Sequence, residues 1–362
     1  MGEHGDRESG VGSRRIEPAD TSIAVSRLPS PVSLHLSQLM PKLAYLLAAS
    51  HSGSTLLAML LGAQPGACTA GELKATSLGE AASYRCSCRE RILDCCFWQQ
   101  VGGAVATRGF PAFDITRAGT NIFEIESPYI RRLLAPLYRG RTLETMRDLA
   151  LSFSQKWKAH LTDCNRRNLA LIESLLDANQ ASVLIDSSKT ALRLKYLLAI
   201  PDLDLRVIRV IRDGRAVALT YTDDWNFADS QDPAMRGGGT GTRRPPFGSM
   251  RAAADTWKRS NESCDALIHR LPATQWTEVR YEDLCSDPEG TLKRLGSFLD
   301  LDPTQVRLDF RAVTQHVIGN GMRMDSSSKI RLDERWKSNL SKDDLRVFDA
   351  VAGNLNRHYG YA

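Results

Sequence analysis

Leu47-Ala-Ala-Ser-His-Ser-Gly-Ser-Thr-Leu-Leu-Ala-Met-Leu-Leu-Gly62 begins as an aliphatic run, breaks into small hydroxyl residues and resumes as an apolar stretch of helical length. With Leu43 to Ala49 read as a buried strand, the segment is strand, tight loop and helix. Such a turn aims successive backbone N–H groups and the helix N-terminus at one point, which makes a cradle for an anion. Ser52, Ser54 and Thr55 add hydroxyl donors. A Walker A loop needs Gly-x-x-x-x-Gly-Lys-Ser/Thr, and here both the first glycine and the lysine are missing, which argues against a kinase or NTPase. The plainer alternative is a Ser/Thr-capped helix with no ligand.

Outward from this segment, Val183–Ile185, Leu205–Ile211 and Gln275–Val279 read as further strands, each followed by a longer stretch of helical period. The alternation predicts an α/β fold, a central parallel sheet flanked by helices, with ligands outside the carboxyl ends of its strands. The second strand with chemistry at its end is Val207-Ile-Arg-Val-Ile-Arg-Asp-Gly-Arg-Ala-Val-Ala-Leu-Thr220. Arg212 leaves that strand where a guanidinium can grip a phosphate in bidentate fashion, and Thr220 falls on the following helix. A local Arg212–Asp213 ion pair is the competing reading. Amphipathic helices are expected over about 122–175, as in Ile130-Arg-Arg-Leu-Leu-Ala-Pro-Leu-Tyr138, where they would shape the acceptor side. Residues 222–249 contain Gly237-Gly-Gly-Thr-Gly241 and Pro245-Pro246, a composition that predicts a mobile flap.

Composition narrows the function classes. The 362 residues carry 47 basic and 42 acidic side chains, a net +5 that is too small and dispersed for a nucleic-acid footprint but suits a small anionic ligand. Residues 1–36 are polar and rich in Gly, Ser and Pro, and are expected to form a disordered leader ahead of a single domain over 37–362. The longest apolar run near the start, Leu43 to Ala49, is far short of the roughly 20 residues a bilayer span requires, so no membrane span and a cytoplasmic location are expected. Four of the eight cysteines are Cys86, Cys88, Cys95 and Cys96. Their spacing matches no standard zinc knuckle; a reduced thiol cluster or a local disulfide fits better, and the expected site contains no metal.

Together the two strand–loop–helix segments resemble the PAPS-dependent sulfotransferase superfamily, whose donor is 3′-phosphoadenosine-5′-phosphosulfate (PAPS). The closer likeness is to a broad, largely bacterial branch. It rests on Ser52-Gly-Ser-Thr-Leu-Leu57, Leu61-Gly-x-x-Pro65-Gly66, Gly71-Glu72-Leu73, a Cys-x-Cys then Cys96-Phe-Trp98 block, Asp186-Ser-Ser-Lys189, Arg212-Asp-Gly-Arg215 and Tyr281-Glu-Asp-Leu284. The likeness runs from about Leu43 to Tyr361.

The resemblance implies a P-loop-NTPase-like sulfotransferase fold and a set of roles. His51, Ser52, Gly53, Ser54, Thr55 and Leu56 would hold the 5′-phosphosulfate, and Arg212 with Thr220 the 3′-phosphate. Glu72 matches a Gly-Glu segment in which tyrosylprotein sulfotransferases place their general base. Lys189 would stand beside the oxygen bridging sulfur and phosphate, Tyr281 would help hold the nucleotide, and Arg323 and Lys329 lie in a C-terminal segment that folds over it. Trp336 reads as a packing aromatic. Two departures stand out. His51 replaces a permanent cation with a titratable one, so affinity is expected to fall as pH rises through the histidine pKa. Thr220 replaces the commoner serine and keeps the hydroxyl.

The implied reaction moves a sulfuryl group to a hydroxyl acceptor and leaves the desulfated nucleotide, PAP. A sulfuryl group bears one negative charge, so the divalent metal of ATP chemistry has no evident task, and activity is expected to survive EDTA. Small-molecule, carbohydrate, lipid and peptide-tyrosine acceptors all remain open, as does oligomeric state. The rival readings are a P-loop-type kinase or phosphotransferase and a non-catalytic nucleotide-binding module.

Overall fold

Five parallel strands in the order β2-β3-β1-β4-β5 form the centre of the protein. The computed structural model describes residues 40–74, 78, 82–135, 138–227, 229–239 and 248–362. Strand β1 (Lys42–Ala48) leads through the 49–53 loop into helix α1 (Ser54–Gly62), then β2 (Ala67–Gly71) and α2 (Cys96–Thr107). Helices α3 (Pro128–Leu133), α4 (Arg141–Ser152) and α5 (Gln155–Asn179) precede β3 (Val183–Lys189), α6 (Ala191–Leu197) and β4 (Asp204–Ile211). The chain continues through α7 (Gly214–Thr222), α8 (Asp224–Phe227) and α9 (Met250–Ile268) to β5 (Trp276–Arg280) and α10 (Tyr281–Ser286). It then forms α11 (Pro288–Phe298), α12 (Trp336–Asn339), α13 (Lys342–Phe348) and α14 (Asn354–His358). Residues 40–362 cluster as one compact unit.

Strand β1 reads as a nearly unbroken apolar run because both of its faces and both of its edges are covered. Leu43, Tyr45 and Leu47 pack into one core with side chains of α2, α5 and α9, whereas Ala44, Leu46 and Ala48 pack into the opposite core with α1 and α11. On its edges β1 pairs with β3 from Lys42↔Val183 to Leu47↔Lys189 and with β4 from Lys42↔Asp204 to Ala48↔Val210. Arg209 of β4 is fully buried, yet its guanidinium reaches Asn261 Oδ1 at 2.6 Å, Asp265 Oδ1 at 3.3 Å and the Tyr359 hydroxyl at 3.3 Å. These partners offset the cost of placing a cation under the sheet and tie β4 to α9 and the C-terminus.

The predicted parallel sheet is present, with β3 running on past the predicted Ile185 to Lys189, and the structure departs from the sequence reading elsewhere too. Strand β2 was not predicted. Its Ala-Cys-Thr-Ala-Gly sequence has little β-branched character, and pairing with β3 from Ala67↔Val183 to Gly71↔Asp186 is what makes it a strand. The helical region extends past 175, since α5 runs to Asn179 and ends on Gln180 in a left-handed conformation. The expected flap over 222–249 is partly regular: α8 is followed by a 3₁₀ turn, Pro233–Gly239, in which Gly237 N donates to Asp229 Oδ2. Residues 228 and 240–247 of that flap, with Pro245-Pro246, and the expected leader lie outside the described residues. Among those residues no helix is long and apolar enough to cross a membrane.

Close approach requires glycine where α7 meets α9 and α13. A Cβ at Gly214 would lie 2.6 Å from Phe348 Cζ and 2.8 Å from Trp257 Cε2. Gly214→Ala is expected to destabilise the fold by about 1–3 kcal/mol, read as a lower urea midpoint at unchanged slope.

Candidate functional site

The five strands place their carboxyl ends along one cleft of about 1790 Å³, and each end contributes chemistry to it. The loop after β1 brings His51, Gly53, Ser54, Thr55 and Leu56. The residues after β2 bring Glu72 and Lys74, β3 ends on Lys189, β4 is followed by Arg212, and β5 by Tyr281. Thr220 of α7 and Lys329 also line the cleft, and its basic side chains outnumber its acidic ones.

The first anion cradle forms because the chain reverses sharply after β1. His51 and Gly53 take left-handed φ values of 63° and 84°. A Cβ on Gly53 would also fall 2.3 Å from Tyr281 Cδ2, so the Tyr281 ring occupies the space a side chain would need. Helix α1 starts at Ser54 with no acidic residue in its first turn and no side-chain cap. Its first N–H groups have no carbonyl within the helix to bond. Ser54 Oγ is buried without a hydrogen-bond partner. An uncapped helix N-terminus beside an orphaned buried hydroxyl fits a bound oxyanion. Ser52 is itself 1% exposed and is not among the side chains lining the cleft.

The second segment meets the first directly. Arg212 Nη1 donates to the His51 carbonyl at 2.9 Å, and its guanidinium carbon lies 4.4 Å from the centre of the Tyr281 ring. Arg212 Nη2 pairs with Asp333 Oδ2 at 2.9 Å, and Asp213 pairs instead with Arg215. The Arg212–Asp213 ion pair weighed from sequence is therefore not made. Thr220 Oγ1 donates to Ala216 O at 3.0 Å within its own helix. The Tyr281 hydroxyl donates to Arg331 O at 3.1 Å and accepts from Asp333 N at 3.3 Å, which draws residues 331–333 against the loop.

Asp186 organises the opposite wall. It is completely buried, and its Oδ1 accepts from Leu73 N at 3.2 Å, Ser188 N at 2.8 Å and Ser188 Oγ at 2.5 Å. Its Oδ2 lies 3.6 Å from the Arg193 guanidinium. Ser188 Oγ in turn accepts from Lys74 N at 3.0 Å. One buried carboxylate thus holds the Glu72–Lys74 turn against the end of β3. Lys189 then takes a left-handed φ of 69°, a conformation that costs a non-glycine residue of order 1–3 kcal/mol and that clusters at functional sites. Its ammonium donates to Glu72 Oε1, while Lys74 Nζ lies 3.8 Å from Glu72 Oε2. Burial and the nearby Lys189 charge depress the Lys74 pKa, with Glu72 opposing them.

Of the residues expected from sequence, Ser52 and Arg323 do not reach the cleft. Arg323 is fully buried and donates to Gly319 O at 2.5 Å, Asn320 O at 3.1 Å and Arg85 O at 2.6 Å, with Tyr84 beneath it. Its charge braces a loop behind Glu72. Lys74 was missed, although its place two residues beyond Glu72 was the available signal. Asp333 was also missed, because nothing local links it to Arg212.

Burial pushes the Asp333 pKa upward, but its bonds to Arg335 and the Arg212 charge outweigh that effect and hold it well below the usual carboxylate range. A depressed folded-state pKa contributes stability that is complete above the unfolded aspartate value of about 3.9 and is lost as pH falls through the folded one. Urea midpoints of Asp333→Asn are therefore expected to fall less steeply than those of the wild-type protein between about pH 4 and 2.

Comparison with known proteins agrees with this arrangement. The family model described as "Sulfotransferase family" matches residues 132–305. That span contains Lys189, Arg212, Thr220 and Tyr281, whereas the 51–56 loop and Glu72 precede it. Carbohydrate sulfotransferase 5 of Mus musculus is 26% identical over 208 residues, covering 55% of this chain and 52% of the relative. The chain thus spans about half the length of that curated relative. Among solved structures, the sulfotransferase domain of the Synechococcus PCC 7002 olefin synthase is 17% identical with a TM-score of 0.40, covering 85% of this chain and 94% of that one. The sulfotransferase domain from the curacin biosynthetic pathway is 15% identical with a TM-score of 0.43, covering 89% and 98%. Over residues 132–305 the chain is therefore similar to the sulfotransferase family, and that span includes the β4–Arg212 segment which meets the 49–53 loop at the cleft.

Proposed function

We propose that this protein transfers a sulfuryl group from PAPS to a hydroxyl acceptor by direct in-line displacement. The observation that carries the reading is the meeting of an uncapped anion cradle with Glu72, Lys189 and Arg212 at the carboxyl ends of one sheet. The cleft of about 1790 Å³ exceeds the roughly 300–1,000 Å³ of a site for one small ligand, which leaves room for a nucleotide and an acceptor together.

In this reading the α1 N-terminus, with Ser54 and Thr55, holds the phosphosulfate, and Arg212 holds the 3′-phosphate in exchange for Asp333. Glu72 takes the acceptor's proton as the acceptor oxygen forms its bond to sulfur. The bond between sulfur and the bridging oxygen breaks, its electron pair stays on that oxygen, and Lys189 neutralises the charge left there. In this reading the Lys189–Glu72 contact keeps the two groups side by side in the cleft until the donor takes Lys189 and the acceptor takes Glu72. A carbohydrate hydroxyl is the first acceptor class to test, because the curated relative is named for carbohydrates.

The test is transfer of labelled sulfate from PAPS across carbohydrate, small-molecule, lipid and peptide acceptors without added magnesium. Transfer to at least one class supports the proposal; turnover of ATP in preference to PAPS defeats it. Glu72→Gln is expected to lower transfer about 10²–10⁴-fold with PAP affinity retained. Full activity in that variant would assign the base elsewhere. Lys189→Ala is expected to lower kcat about 10²–10³-fold with a much smaller change in PAPS affinity. Arg212→Ala is expected to raise the Kd for PAP about 10–100-fold by calorimetry, the loss expected of a charged hydrogen-bonded contact, and an unchanged Kd would remove the 3′-phosphate assignment.

A further inference from the structure

Behind the wall that carries Glu72, three cysteines close in sequence meet a histidine more than 200 residues away. The Sγ atoms of Cys86, Cys88 and Cys95 and a ring nitrogen of His316 all lie within 4.8 Å of one another. We infer that these four residues form a closed structural zinc site. Cys96, the fourth cysteine of the sequence cluster, is exposed at the start of α2 and takes no part.

Three of the six edges between these atoms have the lengths a zinc tetrahedron requires, and all six are within 4.8 Å. Zn–S bonds of about 2.3 Å and Zn–N bonds of about 2.0–2.1 Å at tetrahedral angles require S···S edges of about 3.8 Å and S···N edges of about 3.5 Å. Cys88 Sγ lies 3.7 Å from Cys95 Sγ, and His316 Nδ1 lies 3.6 Å from Cys86 Sγ and 3.3 Å from Cys95 Sγ. The backbone is shaped for this purpose. Cys86 N bonds to Glu90 O, Arg89 N bonds to Cys86 O at 2.8 Å, and Arg89 adopts a left-handed φ of 72°. Phe97 stacks on the His316 ring with centroids 4.3 Å apart and planes 7° from parallel, which fixes the ring's orientation.

Four protein ligands complete a tetrahedron and leave no position for substrate, so the ion would be structural rather than catalytic. None of the four lines the cleft. Binding would release the thiol protons and leave three thiolates and a neutral imidazole on Zn²⁺. The site would clamp the 84–95 hairpin onto residues 315–319. There Ser87 N bonds to Val317 O at 3.2 Å and Val317 N to Ser87 Oγ at 2.7 Å. The next residue, Ile318, accepts from Glu72 N at 3.2 Å and donates to Ala70 O at 2.9 Å. Zinc would thereby hold the backbone against which Glu72 is seated.

Metal analysis and cobalt spectroscopy on the full chain test this without reference to sulfuryl transfer, so failure here leaves the proposed reaction standing, and the reverse. Protein purified with reduced thiols is expected to retain about one zinc per chain, and Co²⁺ exchanged into it should give the intense visible bands of a tetrahedral thiolate site. Cys96→Ser should keep both properties. His316→Phe should lose most of the metal, and His316→Cys should restore it with shifted cobalt bands, which separates ligation from a general folding defect. Wild-type protein that binds no zinc, a Cys88–Cys95 disulfide found by mass spectrometry, or cobalt bands indifferent to His316→Phe would each overturn the inference.

Discussion

Parallel pairing on both edges of β1 is the constraint from which the site follows. Once β3 and β4 align with β1 in the same direction, and β2 and β5 align outside them, all five carboxyl ends fall on one side of the sheet. The chain must leave each strand there through a turn, and turns are where backbone donors and charged side chains are free to face a ligand. The apolar cores on either face hold the strands rigidly enough for residues from Ser54 to Tyr281 to share one cleft.

Part of the positive charge in that cleft is paired before any ligand binds. Lys189 and Lys74 flank Glu72, and Arg212 and Arg335 flank Asp333. A buried cation without a partner would be costly, and Lys189 and Arg212, both buried, each rest on a carboxylate. An anionic donor that takes the place of Asp333 at Arg212 exchanges one ion pair for another rather than creating one. The same exchange at Lys189 would free Glu72 for the acceptor. In this reading the cations are held in position by contacts that the substrates replace.

Asp186 and Arg323 show how much of a functional wall is structural. Neither lines the cleft, yet Asp186 accepts from Leu73 N in the Glu72–Lys74 turn and twice from Ser188 of β3, and Arg323 collects three carbonyls from the loops behind it. Buried charged groups that make several hydrogen bonds at once give a backbone few alternative arrangements. The Asp186-Ser-Ser-Lys189 run therefore combines two tasks, with its first residue bracing the turn and its last meeting Glu72.

What could be read directly from the residues was whatever is local. The 47–62 and 207–220 segments each contain a strand, its turn and the following helix within one short stretch, so hydrophobic run, small residues and helical period suffice to read them. Tertiary structure decided the rest. Ala67–Gly71 became a strand because β3 offered it an edge, Arg212 met His51 and Asp333 across long chain separations, and His316 rather than Cys96 joined the cysteine cluster. Propensity and spacing act over a few residues, whereas these contacts are set by which distant backbones the packed sheet and its covering loops bring together.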